Sequence, residues 1–153
     1  MKSYSLTHLG DQALLRGLTE LNTQDRATTV DLLAHIAEVE ARRLYVPMAY
    51  SSMHLYCVHE LRMSEDIAYK RTRAARAARR FPAIFPALAD GRLHVSGVAL
   101  LARHLTKANA DELLSAATYK TKAEIELLLA QRFPLADVRT RVQVVAPAGA
   151  PGG

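Results

Sequence analysis

QDRATTVDLLAHIAEVEARRLY, residues 24–45, is the stretch on which the fold reading rests. Ala27, Val30, Ala34, Ala37, Ala41 and Leu44 recur at helical spacing and form one apolar stripe, which Leu33, Ile36 and Val39 widen. A helix with apolar residues over so much of its circumference packs on more than one side, so Gln24–Tyr45 is expected to be central and among the most buried helices. Its polar strip is Asp31, His35, Glu38 and Arg42. Pro47 closes it. Upstream, Leu14, Leu15, Leu18 and Leu21 mark a separate helix from Asp11, with Asn22-Thr23 read as the break.

Downstream, Ser51 is placed to cap a short helix running to about Glu60, Arg62-Met63 reads as a tight turn, and Ser64 caps a helix from Glu65 to about Arg80. That helix opens on Glu65 and Asp66 and closes on Arg79 and Arg80, which suits its dipole. Phe81-Pro82 ends it. Ala83–Asp90 is a short helix stopped by Gly91, a residue suited to a left-handed position after a helix. His94–Leu105, Asn109–Thr118 and Thr121–Phe133 complete the series, with Asn109 and Thr121 as caps. Val138, Thr140, Val142 and Val144 alternate, but a lone strand has nothing to pair with. The reading is therefore all-α, a compact domain of six to eight helices with a helix-turn-helix-like unit. It divides into a lead-in over residues 1–10, a helical domain over 11–133, and a flexible, linker-like tail over 134–153.

The chain has 153 residues, one cysteine and no Trp, and half its residues are hydrophobic. One cysteine excludes an internal disulfide and favours a reducing, cytoplasmic setting. No signal-peptide pattern or membrane-length apolar run is expected to anchor the chain. The net charge of +5 is unevenly spread: residues 1–60 carry −2, residues 61–105 carry +6 and residues 106–153 carry +1. A local basic excess directs attention to phosphate or an acidic partner.

On a helical wheel, Tyr69, Arg73, Arg76 and Arg80 fall within roughly 60° of one another, flanked by Lys70 and Arg79. These six are the candidate nucleic-acid contacts, because guanidinium forks bind phosphate bidentately and read guanine edges. Ile67, Ala74, Ala78 and Phe81 are placed on the core side. Arg71 falls there too and is expected to meet a carboxylate, Glu38 first, with Glu40 and Glu60 as alternatives. A solvated, helix-favouring face explains the same arginines without any ligand. Glu65 and Asp66 in the first turn oppose a phosphate there.

No catalytic or metal site is expected, and no cofactor. His54 and His59 stand about 140° apart on a helix, and no second cluster completes a tetrahedral set with Cys57. Asp31, His35, Glu38 and Arg42 are explained by salt bridging along a helix. Gly10, Gly17, Gly91 and Gly97 are isolated, so no phosphate-cradling glycine loop is present. His94 and His104, each beside an arginine, are secondary phosphate candidates.

Three segments carry a family resemblance: LLAHIAEVEARRLY (32–45), AYSSMHLYCVHELRMSEDIAYKRTRAARAARRFP (49–82) and LADGRLHVSGVALLARHLT (88–106). Together they resemble the N-terminal helical region that precedes the nuclease domain in bacterial HNH endonuclease-family proteins, over roughly residues 9 to 133. The resemblance implies that the chemistry lies in a separate C-terminal ββα-metal module with paired histidines and an asparagine. No position here matches that motif. By association, the expectation is a DNA-binding or target-positioning accessory domain acting on nucleic acid, duplex DNA above all, with that nuclease module or a second copy as further partners. A protein-interaction or dimerisation domain is the alternative.

Overall fold

The computed structural model describes residues 3–134. Among them are seven α-helices and no strand: α1 (Asp11–Ala41), α2 (Met53–His59), α3 (Glu65–Arg80), α4 (Ile84–Ala89), α5 (Val95–Leu101), α6 (Ala110–Ala116) and α7 (Lys122–Arg132), with a 3₁₀ turn at Ala102–His104. The alternating segment from Val138 to Val144 and nearly all of the tail lie outside the described residues.

Most local signals are realised as read. Ser64 Oγ accepts the Ile67 amide at 3.2 Å and starts α3. Thr121 and Glu124 form a reciprocal capping box that starts α7. Gly91 follows α4 with φ of 86°, a backbone state that L side chains rarely adopt. Two caps differ. Ser52, not Ser51, caps α2 by accepting the Leu55 amide. Asn109 does not cap α6; its side chain accepts the Thr106 amide and donates to the His104 carbonyl, bracing the preceding turn instead.

The first large correction concerns α1. No break occurs at Asn22-Thr23, and one 31-residue helix replaces the two expected. Asn and Thr each cost well under ~1 kcal/mol in a helix interior, too little to interrupt a segment flanked by good helix formers. The helix ends at Ala41 rather than Tyr45. Arg43 adopts a left-handed φ of 54°, while the Leu44 amide reaches the Val39 carbonyl and the Arg43 amide reaches Glu40. That is a Schellman closure with arginine in the position glycine usually takes.

The second correction concerns which helix is central. Only Leu33, Ile36 and Ala37 of α1 are buried, whereas α3 buries Ala68, Thr72, Ala74, Ala75, Ala77 and Ala78. α3 packs against α1, α2, α4, α5 and the 3₁₀ turn. Small side chains explain this, since alanine faces let helix axes approach to the short end of the ~8–10 Å range. Thr72 is satisfied within its own helix, its hydroxyl donating to the Ala68 carbonyl at 2.8 Å. The α2–α3 pair keeps the helix-turn-helix outline, turned through Arg62 at φ 60°, but α3 is embedded rather than projecting.

Candidate nucleic-acid interface

The buried side chains of α3 sweep roughly 220° of its circumference at 100° per residue. The remaining strip carries Tyr69, Arg73, Arg76 and Arg80, as the wheel predicts, with Tyr69, Arg76 and Arg80 exposed and Arg73 half-buried. Ile67, expected in the core, is exposed at the helix start, where no element reaches it. Arg71 lies on the packed side and is half-buried, but no carboxylate among the described residues meets it. At a half-buried position part of the side chain still reaches solvent, so the expected ion pair is not required.

The three acids expected near Arg71 are engaged elsewhere. Glu40 takes a two-pronged contact from Arg76, Nε to Oε1 at 2.7 Å and Nη2 to Oε2 at 2.5 Å. That pairing holds the Arg76 guanidinium above its usual range. Glu38 accepts from Arg42 at 2.8 Å and from Arg79 at 2.9 Å, which lowers its carboxyl pKa, the Arg42 hydrogen bond contributing most. Glu60 accepts from the Tyr50 hydroxyl. Lys70 pairs with Asp66 at 2.9 Å, neutralising part of the acidic first turn. Of the six candidate contacts, Lys70, Arg76 and Arg79 thus have internal acidic partners.

Arg73 and Arg80 have none among the described residues. Each instead lies over an aromatic ring, Arg73 over Tyr69 at 5.1 Å and Arg80 over Phe81 at 5.0 Å. Stacking of this kind fixes a guanidinium plane while leaving its N–H donors outward. Between α3 and the 3₁₀ turn lies a cleft of about 230 Å³, lined by Arg73, Arg76, Ala77, Arg80, Ala102 and Arg103. Arg103 comes from the other wall, is exposed, and also has no ion-pairing carboxylate among the described residues. It is absent from the sequence-derived set; the signal that pointed to it was its place beside His104, a secondary candidate.

His104 itself adds no charge at neutral pH. Burial, and then the neighbouring Arg103, hold its pKa below the usual histidine value, and its ring stacks on Phe133 at 4.3 Å. His94 is structural. Its Nδ1 accepts the Gly97 amide and caps α5, so Nε2 carries the proton donated to the Lys120 carbonyl. Both ring nitrogens are occupied, which removes His94 from the phosphate candidates.

Elsewhere the chemistry-bearing residues are quiet. No group of three or more His, Cys, Asp or Glu among the described residues is placed to hold a metal ion. Cys57 is fully buried, and burial raises its thiol pKa, which disfavours the nucleophilic thiolate. Along α1, His35 bonds the Asp31 carbonyl and Arg42 bonds Glu38, so that strip is held by helix-surface contacts. No described helix is long and apolar enough to cross a membrane. Comparison with known proteins returns no matching family model, curated protein or solved structure.

Proposed function

We propose that this chain is a nucleic-acid-binding accessory module that grips phosphate through the α3–3₁₀ cleft and positions a target for a nuclease of the HNH type. One observation carries the reading: among the described residues, Arg73, Arg80 and Arg103 lack acidic partners and line one cleft, while Lys70, Arg76 and Arg79 are neutralised internally. Grouped, uncompensated guanidinium charge is costly without a counter-anion, and nucleic acid supplies phosphates at high density. The resemblance to the helical region of bacterial HNH endonuclease-family proteins supports duplex DNA as the polyanion and the bacterial cytoplasm as the setting. Because α3 is embedded, the contact runs along the cleft and not by insertion of α3 into a major groove.

The test is duplex binding by fluorescence anisotropy across a salt series. Changing Arg73, Arg80 and Arg103 together to Glu should leave the helical circular-dichroism signal intact and abolish binding. Single replacements should each flatten the log–log salt slope by roughly 0.9. If the triple variant binds as tightly as the parent, the cleft is only a solvated face.

A second reading, a dimerisation or partner-binding domain, is favoured by a different observation. Leu14, Leu15, Leu18 and Leu21 of α1 are between 41 % and 66 % exposed, an apolar row left open by the described residues. Sedimentation equilibrium of the parent and of Leu18→Asp separates the two readings. Concentration-dependent association lost in the variant, together with no DNA binding, would favour the second.

A further inference from the structure

Resting on the phosphate-binding reading, we infer that the cleft between α3 and the 3₁₀ turn takes a phosphate monoester, the terminal 5′-phosphate of a nucleic-acid strand, in preference to a backbone phosphodiester. The argument starts from size. About 230 Å³ lies below the ~300–1,000 Å³ of ordinary ligand pockets. A phosphate group with a few waters fits a cleft of this size.

Charge narrows the choice further. Three guanidinium groups without acidic partners among the described residues line the cleft from two walls, Arg73 and Arg80 from α3 and Arg103 from the turn. A backbone phosphodiester carries one negative charge and offers two non-bridging oxygens. A monoester carries about −1.5 to −2 at neutral pH and offers three terminal oxygens. Three forks facing one small concavity match the second and are in excess for the first. The fourth guanidinium, Arg76, is held by both oxygens of Glu40, so it shapes the wall without adding net charge. Ala77 and Ala102 give the cleft an uncharged, small-residue lining, so the arginines are its main polar groups.

Orientation supports a discrete site. Stacking on Tyr69 and Phe81 restrains Arg73 and Arg80 before any ligand arrives, which reduces the entropy lost on binding. Tyr69, half exposed beside Arg73, then offers a ring on which the first base of the strand can stack.

The experiment compares a single-stranded oligonucleotide bearing a 5′-phosphate with the same oligonucleotide bearing a 5′-hydroxyl, by anisotropy at moderate salt. The phosphorylated strand should bind about tenfold tighter, the worth of one charge-assisted contact set. Arg103→Ala, at an exposed position outside α3, should erase that preference while leaving the circular-dichroism spectrum unchanged. Equal affinity for the two strands overturns the monoester pocket and leaves the nucleic-acid reading standing. Binding of neither strand, and of no duplex, overturns both. A preference that survives in Arg103→Ala and in Arg80→Ala places the phosphate elsewhere and overturns the assignment. A phosphoserine peptide that binds as tightly as the phosphorylated strand overturns the choice of a nucleic-acid ligand.

Discussion

α3 and the first half of α1 are amphipathic helices of opposite fate. α1 begins with four leucines at helical spacing, and all four face solvent. α3 has no leucine at all, yet six of its small residues are buried and five other elements lie against it. The difference shows that burial follows from which elements can reach a surface, not from how hydrophobic that surface is. Among the described residues, the first hydrogen bond from α1 to the helices beyond it is made by Arg26, whose Nε donates to the Ala89 carbonyl at the end of α4. Before that point no neighbouring helix covers the row. From Val30 onward the chain runs beside α3 and α4, and Leu33, Ile36 and Ala37 become core.

The sharpest test of that contrast makes one chemical change twice on the same helix. Leu33→Ala, at a fully buried site, should cost about 3 kcal/mol in urea unfolding through lost burial and a cavity. Next in size, Ala75→Leu in α3 should cost roughly 1–3 kcal/mol, because the fully buried alanine leaves no room and the packed helices must separate. A loss-free Ala75→Leu would refute the central place given to α3.

Glu40→Gln should have a smaller effect, about 1 kcal/mol or less, since Arg76 remains half exposed and solvent screens the pair. The same change releases the Arg76 guanidinium into the cleft. Anion binding should therefore tighten several-fold even as stability falls, and the opposite signs on two assays distinguish this from general damage. Leu18→Ala should shift stability by no more than ~0.5 kcal/mol, although it removes as many methyl groups as Leu33→Ala. A loss comparable to that of Leu33→Ala would mean that something covers the leucine row.

The smallest effect is a pH dependence at the α1–α3 junction. The Glu38 carboxyl is held below the usual range in the folded chain by Arg42 and Arg79. Its contribution is therefore present above the unfolded carboxylate value of about 4.3 and fades as pH falls through the lower folded value. Because Glu38 is solvent-exposed, Glu38→Gln should lower stability only slightly at neutral pH, and that small difference should vanish as pH falls through the folded value.

What could be read from the sequence was local. Ser64 before an acidic first turn, Thr121 three residues before Glu124, and Gly91 after Asp90 each satisfy backbone groups within a few residues, so composition and spacing are enough to place them. The exposed strip of Tyr69, Arg73, Arg76 and Arg80 was legible for the same reason: helical geometry alone keeps positions 4, 3 and 4 apart on one face. Asn22-Thr23 misled because a weak propensity signal was asked to decide a break that no tertiary contact requires.

Which arginines remain open to a ligand was a tertiary decision. Arg76 and Arg79 are neutralised by Glu40 and Glu38, 36 and 41 residues away, and Arg103 joins Arg73 and Arg80 only because α5 packs on α3 and carries the 3₁₀ turn to the cleft. Helix type and face depend on neighbours along the chain. The pairing of charges depends on a distance between helices, which is set by the small side chains of α3 and by the path of α1 beside it.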